Sequence, residues 1–231
     1  MITEKRPRLV DRRNVCLSAV GAILSAGSVL LWPRLLLSQT PEKPDNTLRV
    51  GDHWTYATKD EITGLATETF THTVTELSAN RIVVGASAPG RNESRPVIYD
   101  RDWNRLEGRG LRFTPHNGMG FPTPLFVRKE WRSGCDARNT QTGSAWKESV
   151  SSKCVAQETV TTPAGTFDTF KVETRMHEVR GSDPTRYLDF EYVRWYAPEI
   201  NRWIRFSSVG KDRNRLRSKR SEELIEFGRA G

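Results

Sequence analysis

The residue types that most often carry out chemistry are sparse in this sequence. It contains four histidines, and none belongs to a His-x-His or His-Glu-x-x-His arrangement: His53, His72, His116 and His177. A zinc site of that type needs a second histidine at short spacing. A hydrolase of the nucleophile-elbow type needs a Gly-x-Ser-x-Gly turn, which residues 39–231 lack. We therefore expect no metal and no cofactor, and the sequence favours a protein without catalytic residues over an enzyme.

One segment has the oxygen spacing with which a calcium loop begins. Asp100, Asp102 and Asn104 occupy alternate positions in the chain. Such a loop next requires a glycine for its sharp turn and later a bidentate glutamate, but these positions hold Arg105 and Leu111. The segment is therefore predicted to be a hairpin turn between two short strands.

Two cysteines lie in the second half of the chain, Cys135 and Cys154. In an exported chain an even pair predicts a disulfide, whereas in the cytosol the same pair would be two free thiols. A bridge closing a loop of about 20 residues would stabilise the fold by roughly 3 kcal/mol. This structural role is favoured over a redox role because the pair does not form a Cys-x-x-Cys motif.

The first 38 residues determine the predicted compartment. A basic head precedes an uncharged, mostly apolar run from Val15 to Trp32, which is the pattern of an export signal. A cut after Ser38 would release the rest of the chain as a periplasmic or secreted protein. The pair Arg12-Arg13 resembles a twin-arginine signal, and the ordinary secretory route stays open. The alternative is an uncleaved helix that anchors the protein in the inner membrane, since the run has nearly the length of a spanning helix.

The rest of the chain divides into a short linker and one domain. Residues 39–47 are polar and contain two prolines, as is typical of a linker, and residues 48–231 suffice for one domain with a hydrophobic core. Residues 1–38 hold six of the 36 Lys and Arg and two of the 28 Asp and Glu, so the net charge falls from +8 to +4 once they are removed. This moderate charge does not indicate a general polyanion-binding protein, and we expect no specific nucleic-acid partner.

A period of two dominates the predicted domain. Threonines recur at every second position from Thr67 to Thr75, and apolar residues alternate with charged ones from Phe170 to His177. Both patterns predict half-buried strands. The phase of the alternation changes at Val193, which predicts a β-bulge. Turn residues separate these runs and no long helical periodicity intervenes, so we predict an all-β fold: a single antiparallel sheet that is curved or forms an open or half barrel.

Several short segments, in their order along the chain, resemble those of the TapB-like family of exported bacterial envelope proteins of unknown function. These segments are Val50–Tyr56, Pro124–Val127 followed by Trp131, Pro163–Phe167 followed by Phe170–Glu173, and Trp195–Pro198. The resemblance spans most of residues 48–231. It implies an exported, β-rich, curved sheet that is distantly similar to the half-barrels of lipoprotein carriers such as LolA and LolB. It implies no catalytic residues.

Six tryptophans lie in the predicted domain, and side chains of this size commonly pack the inner face of a curved sheet. If the sheet does not close on itself, the same residues would line an apolar groove. His116 and Phe121 bound a loop with two glycines that could close over the sheet or contact a partner. The predicted groove consists of Trp54, Trp131, Trp195, Trp203, His116 and Phe121.

Basic residues alternate near the C-terminus and define a basic stripe, Arg213, Arg215, Arg217 and Lys219. On a strand these four side chains would lie on one face, where they could bind the phosphates of a lipid or nucleic acid. Three glutamates between residues 221 and 227 offset this charge. Because basic side chains on an edge strand also prevent sheets from pairing with one another, we interpret the basic stripe as a solvated edge.

The sequence supports three functional hypotheses. The leading one is a non-enzymatic envelope protein whose concave β surface binds an apolar ligand, such as a lipid, or an envelope protein partner. The second is an envelope hydrolase that uses His116 with a nearby aspartate. The third is an electrostatic scaffold that acts at anionic surfaces through the basic stripe. Apart from the third, membrane contact is expected only through the N-terminal segment, and only if that segment is not cleaved.

Overall fold

The structure is a computed structural model, and it describes residues 47–90 and 95–230. The export signal or membrane anchor predicted for residues 1–38, and the linker up to residue 46, lie outside these ranges. Within the described ranges, no helix has the length and apolar character needed to cross a membrane.

Twelve strands account for most of the described residues, as the period of two predicts. Short turns join most of them, and a single 3-10 turn, Pro198–Ile200, connects the tenth strand to the eleventh. The strands are β1 (His53–Asp60), β2 (Ala66–Leu77), β3 (Ile82–Ser87), β4 (Arg95–Tyr99), β5 (Arg105–Gly108), β6 (Leu111–Thr114), β7 (Glu130–Asn139), β8 (Ala145–Thr162), β9 (Gly165–Arg180), β10 (Asp183–Ala197), β11 (Arg202–Asp212) and β12 (Arg215–Gly228).

The strands form a closed antiparallel barrel in which each strand pairs with its neighbours in sequence. The all-β antiparallel prediction is confirmed, but the predicted open or half barrel is wrong. The sheet closes because β12 pairs along the whole of β1, from His53 opposite Gly228 to Asp60 opposite Arg220. Alternation along a strand shows that one face is buried, but it does not show whether the first and last strands meet.

Alternate side chains on each strand point into the barrel. On β2, Phe70, His72 and Val74 are buried, whereas Thr71 and Thr73 lie on the less buried face. The hydroxyl of Thr71 is hydrogen-bonded to that of Thr55 on β1, at 2.9 Å. The threonines therefore form a ladder on the outer face, where polar cross-strand pairs stabilise neighbouring strands without requiring burial.

The position of the predicted β-bulge in β10 is wrong. Tyr192 and Arg194 keep the same phase, opposite Thr174 and Val172 of β9, and Arg194 is buried. The register shift lies further along, between Trp195 and Tyr196 in the pairing with β11. The bulge was predicted at the wrong position because charged residues in a strand usually face water, whereas Arg194 faces the barrel interior.

The two ends of the barrel differ. At one end, here called the closed end, Trp54 packs edge to face against Trp103 at 5.9 Å, and its Nε1 donates to the carbonyl of Ile200 at 3.2 Å. Phe121 from the β6–β7 connection stacks on Tyr196 there, at 4.3 Å. The opposite end, here called the open end, carries the β1–β2, β5–β6 and β11–β12 turns.

The predicted disulfide is also wrong, since Cys135 and Cys154 are both free and buried. Cys135 on β7 pairs with Glu148 on β8, six residues before Cys154 on that strand. At about 3.4 Å per residue, this register separates the two thiols by roughly 20 Å along the sheet, well beyond the reach of a disulfide. Sequence spacing does not reveal this separation, because the register of the β7–β8 hairpin decides it.

We expect both thiols to be free in the exported protein. After denaturation without reductant, alkylation and peptide mapping should find Cys135 and Cys154 both modified, and a reductant should leave the melting temperature unchanged. Loss of a native disulfide would instead cost about 2–5 kcal/mol of stability. Recovery of a peptide in which the two cysteines are linked would contradict the register described above.

Candidate ligand-binding site

The barrel interior contains a cavity at the open end, here called the outer cavity. Its volume is about 630 Å³, and its lining includes Phe70, Ala86, Arg109, Ser218 and Glu222. Small-molecule sites commonly measure about 300–1,000 Å³. The outer cavity therefore has the size of a ligand site, and its position follows from the alternation that turns every second side chain inward.

A second space, here called the inner chamber, lies deeper in the barrel and has a volume of about 280 Å³. It shares Phe70, Arg109, Arg220 and Glu222 with the outer cavity, so the two are adjacent. Much of its wall is aromatic: Phe70, Tyr99, Trp103, Tyr192, Trp203 and Phe206. The charged side chains in the wall are four arginines and one glutamate: Arg105, Arg109, Arg194, Arg220 and Glu222.

Arg202 separates this chamber from the closed end. Its side chain is fully buried, and four aromatic rings surround its guanidinium, which we call the aromatic cage. The distances from its Cζ to the ring centroids are 3.8 Å for Trp203, 4.2 Å for Trp103, 5.3 Å for Trp54 and 5.4 Å for Tyr99. Contacts with ring faces favour a desolvated cation, so the cage partly replaces the water that Arg202 has lost.

His72 is the polar neighbour of Arg202. The Nη2 of Arg202 donates to the Nδ1 of His72 at 2.9 Å, which requires this nitrogen to be unprotonated. Burial, followed by the positive charges of Arg202 and Arg109, holds the pKa of His72 well below its usual value. The imidazole is therefore neutral at physiological pH and adds no positive charge to the interior.

Arg194 is a second buried cation, with 4% of its surface exposed. Its Nη1 donates to the carbonyl oxygen of Met119, and its Nη2 donates to the hydroxyl of Thr174 at 3.1 Å. Its Cζ lies 4.5 Å from the centroid of the Phe121 ring. Burial lowers the pKa of Arg194 to about 10, so the side chain remains charged at neutral pH. All of these partners are uncharged.

Arg105 lies on β5 opposite Tyr99. Its guanidinium sits 4.6 Å from the centroid of the Phe113 ring, and burial lowers its pKa. Its buried Nε has no hydrogen-bond partner within the described part of the chain. Arg105 is therefore a charged side chain that is incompletely satisfied by the protein itself.

Two carboxyl groups accompany these cations, and burial weakens the acidity of both. Burial raises the pKa of Glu148 to about 7, the neighbouring Glu178 acts in the same direction, and the Cys135 thiol donates to Glu148 at 3.5 Å. Burial also raises the pKa of Glu222, which forms an ion pair with Arg220 at 3.3 Å. Glu222 is thus matched by Arg220, and within the described residues no other carboxylate lines the chamber.

The loop of residues 116–121, here called the plug loop, forms part of the chamber wall through Asn117 and Met119. The buried side-chain oxygen of Asn117 accepts the backbone N–H groups of Arg105 and Met119, at 2.8 and 3.2 Å. A Cβ added at Gly120 would lie 2.2 Å from the carbonyl oxygen of Asp102. The loop fits inside the barrel only because this position has no side chain.

The structure brings most of the predicted groove residues into one hydrophobic cluster. Trp54 and Phe121 are buried there, and Trp131, Trp195 and Trp203 are partly buried and pack against it. The Nε1 of Trp195 donates to Glu158 at 2.5 Å. His116 is outside this cluster, and its Nδ1 accepts the backbone N–H of Gly118 at 3.1 Å. Within the described residues no carboxylate is hydrogen-bonded to His116. Of the six, only Trp203 lines the inner chamber.

The basic stripe lies at the open end. Arg213 is in the β11–β12 turn with a positive φ of 48°, and the other three residues are on β12. The register of β12 against β11 shifts between Leu216 and Ser218, so Arg217 lies at an irregularity of the strand pairing. The side chain of Arg217 forms an ion pair with that of Asp212, at 3.7 Å. All four side chains are exposed. Contact of this stripe with an anionic surface stays a prediction.

The interpretation of the Asp100–Asn104 segment as a hairpin turn is confirmed. One carboxylate oxygen of Asp100 accepts the backbone N–H groups of Asp102 and Asn104, at 3.0 and 2.8 Å. Its other oxygen accepts the amide of the Asn104 side chain at 2.9 Å. The alternate oxygens therefore stabilise the turn between β4 and β5.

Sequence reasoning missed the buried arginines of the interior. A signal was present for Arg194 and Arg202, since each stands beside tryptophans or apolar residues in a strand-like run. Charged residues in strand-like runs usually face water, so the pattern alone does not predict that these arginines are buried. For Arg105 the sequence offers no comparable signal, because its position beside the chamber depends on the register of β5 against β4.

Comparison with known proteins supports this fold. A candidate lipoprotein from Parabacteroides distasonis is similar in structure, with a TM-score of 0.54 and 15% identity over 78% of this chain and 96% of that one. A candidate exported protein with a YmcC-like fold from Bacteroides fragilis has a TM-score of 0.50 and 16% identity, covering 78% of this chain and 97% of its own. No protein family and no curated protein matches the sequence. The resemblance to the TapB-like family therefore stays a prediction.

Substitution of Gly120 tests how the plug loop is held. We expect Gly120→Ala to lower the free energy of unfolding by about 2 kcal/mol or more, because its methyl group would overlap the carbonyl of Asp102. Gly134→Ala is the matched control, since its Cβ would make only an ordinary contact, at 3.6 Å. Urea denaturation measures both, and equal stability of the two variants would contradict the described position of the loop.

The raised pKa of Glu148 makes a prediction about pH. Between about pH 4.5 and pH 7 the folded protein binds more protons at this site than the unfolded chain does, so the free energy of unfolding falls as the pH rises. We expect Glu148→Gln to remove this contribution and to be more stable than the wild type at pH 8, by about 1–3 kcal/mol. Glu173→Gln, an exposed position on β9, is the control. Parallel profiles of urea-denaturation stability against pH for wild type and Glu148→Gln would contradict the prediction.

Proposed function

We propose that this protein is an exported envelope protein that binds a small amphipathic molecule inside its barrel and catalyses no reaction on it. The observation that carries the proposal is the asymmetry of the interior. The closed end is filled by the protein's own aromatic side chains, whereas the outer cavity and the inner chamber lie toward the open end.

The lining of these spaces supports an amphipathic ligand. The inner chamber offers aromatic surface from Tyr99, Phe206 and other side chains together with several guanidinium groups. The outer cavity adds apolar surface from Ile62, Phe70, Ala86 and Ala88, among side chains that are mostly polar or charged. Small-molecule sites combine apolar surface with placed polar groups. The ligand hypothesis drawn from the sequence thus moves from a concave groove to the interior of a closed barrel.

Export is supported by two independent indications. The N-terminal sequence has the pattern of an export signal, and the two solved proteins of similar fold are a candidate lipoprotein and a candidate exported protein. Neither similarity, at 15% and 16% identity, carries a function. The binding proposal therefore depends on the geometry of the interior alone.

A variant that blocks the outer cavity tests this proposal. Ala86 on β3 lines the outer cavity, and its replacement by tryptophan should fill part of that space. We expect the neutral fluorescent probe N-phenyl-1-naphthylamine to bind the wild-type protein with enhanced emission and to bind Ala86→Trp at least about tenfold more weakly, since the substitution removes accessible apolar surface.

The control is Val83→Trp, which adds the same side chain on the same strand. Val83 is three residues from Ala86, and an odd separation along a strand places its side chain on the opposite face of the sheet, outside the barrel. It should bind the probe as the wild type does. Circular dichroism and thermal melting establish that both variants fold. Absence of probe binding to the wild type, together with native mass spectra that show no co-purified small molecule, would refute the proposal.

A further inference from the structure

We infer that the inner chamber is an anion seat, in which Arg194 and Arg105 receive a carboxylate or phosphate group of the ligand. This inference rests on the proposed function and specifies the chemistry of the molecule that binds. It is carried by a surplus of buried positive charge that the protein does not neutralise.

Arg194 shows this surplus most directly. A buried guanidinium is normally paired with a carboxylate, because transfer of an unpaired charge out of water is costly. Its hydrogen-bond partners are instead the carbonyl oxygen of Met119 and the hydroxyl of Thr174. Within the described part of the chain no carboxylate lies within 4 Å of it.

The neighbouring groups do not supply the missing negative charge. Glu222 is paired with Arg220. Glu148 attracts Arg105 electrostatically but forms no ion pair with it within the described ranges. His72 is neutral. Beyond the Arg220–Glu222 pair, the charged side chains in the chamber wall are therefore three arginines, Arg105, Arg109 and Arg194.

A structural role alone does not account for all of these arginines. The contact of Arg194 with Met119 holds the plug loop, and Arg202 packs within the aromatic cage. Neither contact concerns Arg105, whose Nε lacks a partner within the described residues, or Arg109, which is exposed and lines both the chamber and the outer cavity. Asp60 and Glu68 line the outer cavity as well, so the excess of positive charge belongs to the inner chamber.

The chemistry of guanidinium groups selects the ligand class. The planar fork of an arginine matches the paired oxygens of a carboxylate or phosphate, and such a bond is stronger in a water-poor interior than at the surface. The anionic group would occupy the inner chamber, and the rest of the ligand would extend along the apolar side chains Phe70, Ala86 and Ala88, which are a minority of the outer cavity lining. A cationic amphiphile would be excluded by charge repulsion.

The test compares four competitors with the same ten-carbon chain: decanoate, decyl phosphate, decanol and decylammonium. Each displaces bound N-phenyl-1-naphthylamine from the wild-type protein, so that only the head group differs. We expect decanoate or decyl phosphate to compete at least about tenfold more strongly than decanol, as a hydrogen-bonded charge contributes that much, and decylammonium to compete least. Stronger competition by decanoate than by decyl phosphate would indicate a carboxylate ligand, and the reverse order would indicate a phosphate ligand.

Variants then locate the effect. Arg194→Gln should weaken the competition by the favoured anion about tenfold and leave decanol unchanged. Because Arg194 also holds the plug loop, the exposed Arg109→Gln is the second variant, and it should lower the same affinity by a smaller factor. Arg175→Gln, on the exposed face of β9, is the matched control and should have no effect.

The outcomes separate the two proposals. If the probe binds but decanol competes as strongly as both anions, the anion seat is wrong and the binding function stands. If the anions are preferred but neither Arg194→Gln nor Arg109→Gln reduces that preference, the seat is also wrong. If the probe does not bind and native mass spectra show no co-purified small molecule, the proposed function fails, and the anion seat fails with it.

Discussion

The pairing of β1 with β12 is the constraint on which the rest of this structure depends. It removes both free edges of the sheet, so that every inward-facing side chain belongs to one enclosed space. An open sheet would let the charged side chains of its inner face reach water. In the closed barrel, Arg194 and Arg202 must instead find their partners within the protein or in a bound molecule.

The interior satisfies these charges unevenly. Arg202 is accommodated by the aromatic cage and by His72, which together fill the barrel next to its closed end. Toward the open end Arg194 and Arg105 line the inner chamber, and within the described residues neither forms an ion pair with a carboxylate. The same barrel therefore combines a packed half, which stabilises the fold, with a cationic half suited to receive a ligand.

Much of the local structure could be predicted from the sequence, because it depends on neighbours in the chain. The threonine alternation of β2 and the turn at Asp100 require only the period of two and the hydrogen-bonding capacity of an aspartate. The predictions that failed required distances between strands. The predicted disulfide required Cys135 and Cys154 to lie next to each other. The predicted bulge at Val193 required the side chain of Arg194 to face water.

The sequence by itself determined that this chain is an antiparallel all-β protein, since alternation and turn residues are local properties of the backbone and its side chains. Only the tertiary structure decided that the sheet closes, that the two thiols are far apart, and that Arg105 and Arg194 share one chamber. Strand register and closure place residues far apart in the sequence next to one another. The burial of a charge depends on those neighbours, which no local pattern records.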